Sequence, residues 1–576
     1  MTGGDLIADV LESRGVKYLF TLCGGHISPI LVSAKERGIR IIDVRDEVAA
    51  AFAADAVSRL TGTPGVAAVT AGPGVTNTLT AVKNAQLAQS PLVLLGGATA
   101  TILNGRGSLQ DIDQMALFEP HVKWMAAADQ VRDLVPAVEE AFDEARLGVP
   151  GPVFVECPVD LLYEESLVRE LYGVGKDAPE PKSLPEKGLR FYLERHLRRV
   201  FRGVGKAKVS PLRDVPPIAP TKRQLKGVRA DLAKAKKPVM LVGSQAVLRA
   251  ADIDEIATAV DKIGVPVYLS GMARGLLGAT HERLFRHKRR NSLKEADLVL
   301  LAGVPCDFRL DYGRHISRKA RYLSVNLSDQ DLMKNRKPNR GIVADPGTFL
   351  LALAEEGPSG DWDDWIAEMR GRDDAREQQI DEQAAIETDL INPIFLCREI
   401  DKALDDDSVL VADGGDFVAT ASYTVKPRGP LRWLDPGVFG TLGVGGGFAL
   451  AAKAARPDSE VWLLYGDGSA AFSLAEFDTC VRHKLPIIAV VGNDAGWTQI
   501  AREQVEVLGD ACGTELLHTD YHVVAEGYGG KGLKVERPED VPAVLAEAKE
   551  IARDGTPVLV NALIGKTDFR KGSISM

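Results

Sequence analysis

The chain has 576 residues, and at about 150 residues per domain this length predicts three or four domains. With 70 lysines and arginines against 80 aspartates and glutamates, its net charge is −10, which excludes a protein built to coat nucleic acid. Six scattered cysteines without a CxxC pair argue against a zinc site and a disulfide framework, and they favour a reducing, cytoplasmic location.

Residues 1–165 have the pattern of a parallel α/β domain. They open with an amphipathic segment, "DLIADVLESRG", and neither this nor any later run is apolar enough to predict a signal peptide or a membrane span. The runs "IRIIDV", "GVAAVT", "PLVLLGG" and "PVFVEC" predict buried strands, each followed by glycine or a helix. Such alternation is typical of parallel sheets.

Residues 166–225 interrupt that pattern with many prolines and a basic block. Between Lys187 and Lys208 the chain has eight lysines and arginines against one glutamate. One interpretation is a solvated linker helix that covers other domains. The other is an amphipathic surface for anionic lipid or a phosphorylated ligand, and the sequence leaves both open.

Two further α/β domains are predicted, at residues 226–370 and 391–576, with a polar helical linker at residues 371–390. Strand-like runs include "KPVMLVGSQA" and "RYLSVNLS" in the first of these domains, and "DSVLVADGG" and "EVWLLYGDGS" in the second. The first has no GxGxxG motif, which weakens the hypothesis of a dinucleotide-dependent dehydrogenase. The sequence therefore predicts an α/β protein with three parallel-sheet domains.

The strongest chemical signal lies between Leu463 and Trp497. A strand ends in the glycine turn around Asp467, residues 472–484 have the apolar spacing of one helix, and a second strand ends at Asn493. Loops that follow neighbouring parallel strands leave the same edge of a sheet, so these two side chains should lie close together. Their oxygens suit Mg²⁺, and the turn and helix N-terminus suit a diphosphate. An ordinary acidic turn with an ordinary loop asparagine is the alternative.

This arrangement resembles the metal–diphosphate motif of thiamin diphosphate enzymes. The resemblance implies that Asp467, Asn493 and the carbonyl of Ala495 hold the metal. The family usually has Asn-Asn where this chain has Gly492-Asn493, so the first asparagine is missing but the ligand is kept.

A second match concerns Glu47, which follows the strand-like run "RIIDV" in the family's Arg-x-Glu-x-Ala-Ala pattern. In the family this glutamate bonds the pyrimidine ring of the cofactor and activates it. A glutamate at a helix start is otherwise a surface residue favoured by the helix dipole. The resemblance therefore implies a catalytic Glu47.

The family's other cofactor contacts can be carried over residue by residue. The Gly440 carbonyl would hold the 4′-amino group, and Leu442 would support the bent cofactor. The remaining implied contacts are Gly25, Gly72, Pro73, Gly74, Asn77, Gly414, Gly415, Asp416, Gly466, Gly468, Ser469, Gly496 and Trp497.

The resemblance covers the whole chain, in the order pyrimidine, central and diphosphate domain. Within the family the chain is similar to acetolactate synthases and, more specifically, to the acetolactate synthase-like 2-hydroxyacyl-CoA lyases, through "LCGGHISPILV", "SLQDIDQMALFEPHVKW" and "VGNDAGWTQIAREQV". These lyases cleave a 2-hydroxyacyl-CoA to formyl-CoA and an aldehyde. The alternatives are an acetolactate synthase, an oxalyl-CoA decarboxylase-like enzyme, and a degenerate fold kept for binding.

The lyase hypothesis implies further site residues and partners. His26 and Gln110 are candidates for proton transfer and oxyanion contact, and Trp497 and Gln499 for the substrate channel. Candidate contacts for coenzyme A are Arg309, Arg314, Lys566, Arg570 and Lys571. In relatives the central domain holds FAD or ADP, and the matching strand ends carry Gly243, Gly303, Asp307, Asn326 and Asp329. The resemblance also implies a homodimer or homotetramer.

Overall fold

The computed structural model describes residues 2–357 and 360–572. These residues form three six-stranded sheets flanked by helices. They divide into two compact units, Met1–Ser58 with Thr63–Val215, and Arg59–Gly62 with Pro216–Met576. The first sheet belongs to the first unit, and the other two sheets belong to the second.

The first sheet has the strand order β2-β1-β3-β4-β6-β5. Its strands are β1 Tyr18–Leu22, β2 Arg40–Asp43, β3 Gly65–Val69, β4 Leu92–Ala98, β5 Trp124–Ala127 and β6 Pro152–Pro158. The helices in this part of the chain are α1 Gly3–Ser13, α2 Ser28–Glu36, α3 Glu47–Thr61, α4 Pro73–Asn77, α5 Leu79–Ala88, α6 Gln114–Phe118, α7 Leu134–Arg146, α8 Val159–Leu162, α9 Glu165–Leu171 and α10 Leu184–Val200.

The second sheet has the order β12-β11-β10-β7-β8-β9. Its strands are β7 Pro238–Val242, β8 Val267–Leu269, β9 Leu284–Phe285, β10 Leu298–Ala302, β11 Arg321–Asn326 and β12 Arg340–Val343. The accompanying helices are α11 Lys222–Leu232, α12 Ile253–Ile263, α13 Arg289–Glu295, α14 Asp329–Leu332, α15 Pro346–Ala354 and α16 Asp363–Ala384.

The third sheet has the order β14-β13-β15-β16-β18-β17. Its strands are β13 Val409–Ala412, β14 Trp433–Leu434, β15 Val461–Gly466, β16 Ile488–Asn493, β17 Lys531–Val535 and β18 Val558–Leu563. Its helices are α17 Pro393–Ala403, α18 Asp416–Thr424, α19 Val444–Ala455, α20 Asp467–Ser473, α21 Glu476–Arg482, α22 Thr498–Leu508, α23 Tyr521–Gly527 and α24 Val541–Arg553.

The neighbouring strands within each sheet pair in parallel, which confirms the predicted fold class. Numbered within its own sheet, the order of the first and third sheets is the same, 2-1-3-4-6-5. The second sheet has the order 3-2-1-4-5-6, the doubly wound arrangement that reverses between β7 and β10. Parallel sheets covered on both faces need strands that are apolar throughout, and β4 and β15 are buried along their whole length.

One local prediction is wrong, because residues 472–484 do not form one helix. The structure has two short helices, α20 and α21, and α20 already begins at Asp467. The Ser473 hydroxyl lies 2.7 Å from that of Tyr465 and accepts a bond from the Gly446 N–H, which fixes the end of α20. The Phe477 N–H then bonds three residues back instead of four, so the chain makes a tighter turn there.

The basic block is α-helical up to Val200, in α10, and this leaves both interpretations open. Its C-terminal part is anchored by His196, whose Nε2 lies 3.0 Å from the Thr101 hydroxyl, and that hydroxyl donates to the buried Asp160 carboxylate. Leu189 and Phe191 on the same helix are exposed. Among the described residues, no helix has the length and apolar character needed to cross a membrane.

Candidate active site

The carboxyl ends of β15 and β16 bring the first pair of candidate residues together. Gly466 pairs with Gly492 in the parallel ladder, so Asp467 and Asn493 leave the same edge of the third sheet. The Asp467 carboxylate accepts the Gly468 N–H at 2.7 Å and the Gly496 N–H at 3.0 Å. The proximity expected from two neighbouring parallel strands is therefore present.

Asp467 lies in an electrostatic environment set by opposing effects. Burial raises the pKa of its carboxyl, and the backbone N–H groups of Gly468 and Gly496 act against that rise. Burial also raises the pKa of the neighbouring Asp494 to about 7, with the charge of Asp467 contributing. Two carboxyl groups this close repel each other when both are ionised, and a cation between the loops would relieve that repulsion.

Asn493 is fully buried, and its side chain is held in one orientation. Its Nδ2 donates to the Thr519 carbonyl and to the Asn561 side chain, both at 3.1 Å, which leaves the Oδ1 end on the side of Ala495. Ala495 has a φ of 52°, a left-handed conformation that alanine rarely adopts. Its carbonyl accepts the Leu516 N–H at 2.9 Å and keeps one lone pair for a further partner.

Close backbone packing forms a cradle beside these loops, which we call the glycine cradle and define as Gly414, Gly415 and Gly466. The Gly466 N–H donates to the Gly414 carbonyl at 3.0 Å, and Gly415 has a φ of 110°. A Cβ on Gly414 would lie 2.2 Å from the Leu442 Cδ2, so the Leu442 side chain covers this turn. The Ser469 hydroxyl donates to the Gly414 carbonyl and closes the cradle on the other side.

Sequence reasoning missed Asp413, the residue that joins the glycine cradle to the loop before α19. Its buried carboxylate accepts the Gly443 N–H at 3.0 Å and the Gly445 N–H at 2.7 Å. Burial raises the pKa of Asp413 to about 7, although both N–H donors favour the charged form. The only feature of the sequence that could have pointed to Asp413 was its position directly after β13, within "ADGGDF".

The other candidates of the third sheet lie in the loops and helix starts that follow its strands. Asp416, the first residue of α18, is engaged by both terminal nitrogens of Arg502 at 2.9 and 2.7 Å. The Trp497 indole lies against Gly468, where a Cβ would come within 2.5 Å of the ring. Gln499 is half-buried near the start of α22, and Gly440 has a φ of 65° in the exposed loop that leads to α19.

The first unit contains the second group of candidates, around Glu47. This glutamate begins α3 and is 7% exposed, and its Oε2 accepts the Asn77 side-chain N–H at 3.0 Å. A Cβ on Gly74 would lie 3.4 Å from its Oε1, so the chain approaches the carboxylate closely there. The turn before α4 starts at Gly72, whose φ is 64°, and Pro73 is the first residue of that helix.

His26 and Gln110 both lie next to this turn. The His26 Nδ1 is 3.2 Å from the Thr70 hydroxyl, and burial lowers the pKa of the imidazole, which favours its neutral form. Gln110 has a φ of 65°. It packs against Gly72, because a Cβ added to Gly72 would lie 2.9 Å from the Gln110 Cβ. Gly25 is exposed beside His26. The structure thus gathers the predicted residues of the first unit around one loop.

A buried polar chain behind this loop was also missed. The Gln114 side chain accepts the Gly72 N–H at 2.9 Å and donates to the Glu156 carboxylate at 2.8 Å and to the Gly97 carbonyl at 3.1 Å. Burial raises the pKa of Glu156. Because its amide oxygen and both of its N–H groups have partners, Gln114 fixes the orientation of the turn.

The candidate contacts for coenzyme A do not form one group. Arg309 is bonded by two nitrogens to the Asp307 carboxylate, and the exposed Arg314 pairs with Asp311. Lys571 is also exposed, near Asp568. Lys566 lies near Gly496, and Arg570 lies over the Tyr423 ring and lines a large cavity.

Two of the candidate nucleotide residues, Gly243 and Gly303, follow the strands at the reversal point of the second sheet, and Asn326 ends the next strand, β11. A Cβ on Gly243 would lie 2.5 Å from the Gly303 carbonyl oxygen, so the two strand ends approach closely. The buried Asn326 accepts the Gln245 side-chain N–H at 2.9 Å. Asp329 begins the short helix α14.

Comparison with known protein families agrees with this geometry. Three thiamine pyrophosphate enzyme models match, for the N-terminal TPP-binding domain at residues 1–117, the central domain at 225–353 and the C-terminal TPP-binding domain at 413–562. The chain belongs to the thiamine pyrophosphate enzyme family. As in the family order, the Glu47 loop falls in the N-terminal domain and the Asp467 and Asn493 loops fall in the C-terminal domain.

Individual members of the thiamine pyrophosphate enzyme family are similar over the full length. A 2-hydroxyacyl-CoA lyase 2 of Bos taurus is 50% identical, with 100% of this chain and 92% of the relative covered. The human protein of the same name is 49% identical, with the same coverage. An acetolactate synthase large subunit of Mycobacterium tuberculosis is 34% identical, covering 98% of this chain and 96% of the relative.

Proposed function

We propose that the chain is a thiamin diphosphate- and Mg²⁺-dependent lyase that cleaves a 2-hydroxyacyl-CoA to formyl-CoA and an aldehyde. The observation that carries this proposal is the identity of about one half, over the whole chain, to proteins named 2-hydroxyacyl-CoA lyase 2. The reverse reaction is the acyloin condensation of the same two products. The two groups of site residues support it, because each contains the residues that the resemblance implies.

The residues of the third sheet fit the diphosphate and its metal. Asp467, the Oδ1 of Asn493 and the Ala495 carbonyl offer three hard oxygens, the ligand type that Mg²⁺ prefers. Among the described residues no cluster of three or more acidic, histidine or cysteine side chains is arranged for a metal. The metal would therefore depend on these mixed oxygens and on those of the diphosphate. The glycine cradle lets backbone groups approach the cofactor without side chains in between.

The residues of the first unit fit the reacting end of the cofactor. When bound, thiamin diphosphate supplies the nucleophilic carbon and the electron sink for the cleavage. Glu47 would hold a proton on the pyrimidine ring, and Asn77 and the close approach of Gly74 keep its carboxylate in place. Pro73 and Gly72 would form the wall of the pocket that Gln114 fixes from behind.

The cleavage requires a base for the 2-hydroxyl proton and a donor that protonates the carbon becoming formyl. We propose His26 for these transfers, because its neutral imidazole can take up the 2-hydroxyl proton and the imidazolium so formed can donate that proton to the carbon. Gln110 would donate its amide N–H to the developing oxyanion. Trp497 and Gln499 would border the substrate channel, since both follow the metal loop.

A panel of substrates tests this function against its alternatives. The purified protein, with thiamin diphosphate and Mg²⁺, is incubated separately with 2-hydroxyacyl-CoAs, pyruvate and oxalyl-CoA. We expect formyl-CoA and aldehyde from the first group only. Acetolactate from pyruvate would favour the synthase, and formyl-CoA from oxalyl-CoA the decarboxylase. Failure of all substrates, with no cofactor bound, would favour the degenerate fold.

We also propose that the protein is a homodimer or homotetramer whose active site combines Glu47 of one chain with Asp467 of another, as the resemblance implies. Two inactive variants, Glu47→Gln and Asp467→Asn, test this when they are denatured together and refolded. A hybrid dimer would contain one intact site, so the mixture should regain about a quarter of the wild-type activity. An inactive mixture that has demonstrably exchanged chains would contradict a shared site.

Two further assignments stay proposals. ADP or FAD is proposed at the reversal point of the second sheet, because ligands of doubly wound sheets bind where the strand order reverses. A cytoplasmic location is supported by the six cysteines, which are free thiols. Mass spectrometry of the purified protein after denaturation would detect a retained nucleotide.

A further inference from the structure

The second unit contains a cavity of about 620 Å³ with an unusual concentration of positive charge. Eight of its lining residues are lysines or arginines, two are histidines and none is an aspartate or glutamate. The chain as a whole has a net charge of −10, so this concentration is not a consequence of composition. The cations that line the cavity come from the region of β9 and α13, from α16, from the segment after α18 and, near the C-terminus, from Arg570.

Several of these arginines are oriented by neutral groups. Arg274 donates to the Ser422 carbonyl at 3.1 Å, and Arg289 donates to the Arg309 carbonyl at 2.9 Å. Arg286 donates to the carbonyls of Tyr423 and Val425 at 3.1 and 2.9 Å. Carbonyl oxygens fix the direction of a guanidinium but bring no full negative charge.

One carboxylate behind the cavity is shared among several cations. Glu377 lies 3.6 Å from Arg286 and 3.9 Å from Lys426, and it bonds His287 at 3.0 Å and Arg398 at 2.6 Å. Arg398 also pairs with Asp381 at 2.8 Å, so the charge of Glu377 is divided mainly over the other three groups. Among the described residues, the exposed Lys288 and Arg290 have no ion-pair partner.

Burial makes this excess of charge costly. It lowers the pKa of Arg286 and of Arg289, because both guanidinium groups lose water, and at Arg286 the charge of Glu377 only partly opposes this. Both remain charged at neutral pH. A bound anion with several charges would compensate them, and the volume of the cavity lies within the range of about 300–1,000 Å³ typical of ligand sites.

The position of the cavity connects it to the candidate active site. Helix α18 begins at Asp416, directly after the glycine cradle, and its residues Ala419, Ser422 and Tyr423 line the cavity. Nine helical residues span about 13 Å, so the cradle and the cavity lie toward opposite ends of one rigid element. The Tyr423 ring is 47% exposed and lies beside Arg570, which gives the cavity an aromatic surface.

We propose that this cavity binds the phosphate groups of a CoA thioester, at its 3′-phospho-ADP end. The assignment rests on the proposed lyase function. Three phosphate groups match a cluster of eight cations, and arginine and lysine are the residues that recognise phosphate. Tyr423 offers a stacking surface for the adenine. The acyl end then extends along α18 toward the glycine cradle, which explains why a charged anchor stands about one helix length from the chemistry.

Two sets of variants test the assignment. Lys288→Gln/Arg290→Gln changes two exposed residues and should fold normally, and Arg289→Gln removes a half-buried cation. Arg198→Gln/Arg537→Gln is the matched control, because it removes two charges whose side chains are 75% and 67% exposed and which do not line the cavity. Calorimetry measures binding of CoA, 3′-dephospho-CoA, ADP and FAD to the protein loaded with thiamin diphosphate and Mg²⁺.

We expect each cavity variant to weaken CoA binding about 10- to 100-fold, and the control to change it less than about threefold. The KM for a 2-hydroxyacyl-CoA should rise in parallel while kcat and thiamin diphosphate affinity stay near wild type, because the phosphates lie far from the reacting carbons. Weaker binding of 3′-dephospho-CoA than of CoA to the wild type would support the three-phosphate assignment.

The outcomes separate this proposal from the proposed function. If the variants bind CoA like the wild type while cleavage persists, the cavity assignment is wrong and the lyase function stands. If the wild type binds ADP or FAD as tightly as CoA or more tightly, and the cavity variants lose that binding, the cavity is a resident nucleotide site and the CoA assignment is wrong. If the wild type neither binds CoA nor cleaves the thioester, the proposed function itself fails.

Discussion

The first and third sheets share the strand order 2-1-3-4-6-5, but the loops at their carboxyl ends hold their carboxylates through different hydrogen-bond donors. After the third strand, β3 leads into the turn of Gly72 and Pro73, whereas β15 leads directly into Asp467. In the first sheet a single carboxylate, Glu47, is held mainly by a side-chain amide. In the third sheet the carboxylate is bonded by backbone N–H groups.

With the roles proposed for Glu47 and Asp467, one scaffold would support two kinds of site. A carboxylate that takes part in proton transfer needs an open oxygen and a side-chain partner that fixes its direction. A carboxylate that holds a metal needs a fixed position, which backbone groups provide best because they do not change rotamer. The chemistry is therefore set by the loops, while the sheet determines where they stand.

We expect the largest loss of activity from a substitution of Glu47, in the first sheet's group of site residues. Glu47→Gln keeps the Asn77 contact through the amide oxygen but removes the proton transfer, so kcat should fall about 10³-fold. Thiamin diphosphate affinity, measured by calorimetry, should stay within about threefold. Glu165→Gln, also at the first position of a helix but exposed, is the matched control and should be neutral. A variant with wild-type turnover would contradict the role of Glu47.

The next largest effect is expected from a substitution of Asp467, in the third sheet's group of site residues. Asp467→Asn removes the charge and turns an amide N–H₂ toward a backbone N–H, of Gly468 or Gly496. Both Mg²⁺ and thiamin diphosphate affinity should fall by about 100-fold or more, because metal and diphosphate are bound together. Titration of the apoprotein with cofactor at several Mg²⁺ concentrations measures this. Asp478→Asn on α21 serves as control, and equal loss in both variants would argue for general destabilisation.

A smaller effect sharpens the view that the glycine cradle is shaped by its neighbours. Gly414→Ala would place a Cβ 2.2 Å from the Leu442 side chain, which must move. Stability should fall by only about 1 kcal/mol, whereas kcat should fall about 10- to 100-fold because the proposed cofactor support is displaced. Gly371→Ala, in a helix with open space around it, is the control and should be neutral or slightly stabilising. Thermal unfolding and turnover together separate the two effects.

The smallest effect concerns pH. Burial lowers the pKa of His26, and the proposed role needs the neutral ring, so protonation removes activity as pH falls. The acid limb of kcat/KM should therefore lie below the ordinary histidine pKa of about 6.5. His26→Gln should lose that limb together with part of the rate. If the acid limb of kcat/KM remains in His26→Gln, it must arise from the titration of another group.

Much of this architecture could be predicted from the sequence because the buried strands are continuous apolar runs. The neighbourhood of Asp467 and Asn493 followed from the geometry of consecutive parallel strands alone. Asp413 and Gln114 could not be predicted, since they act on Gly443 and Gly72, 30 and 42 residues away. Such contacts depend on tertiary packing and leave no local pattern.

The same reason explains the remaining differences. The break between α20 and α21 depends on hydrogen bonds that Ser473 makes to distant elements, and a periodicity of apolar residues does not report them. The cationic cavity collects residues from positions 268 to 570 and has no linear signature. Of the five cations proposed from sequence for coenzyme A, only Arg570 lines it. The exact domain boundaries stay a prediction.

The most direct test of the central claim follows one carbon atom. A 2-hydroxyacyl-CoA labelled with ¹³C at the thioester carbonyl is incubated with the protein, thiamin diphosphate and Mg²⁺, and the products are identified by mass spectrometry. We expect labelled formyl-CoA and an unlabelled aldehyde in equal amounts, because the bond between the first and second carbons is cleaved. Label that stays in the intact acyl chain, as free acid or unreacted thioester, would contradict it.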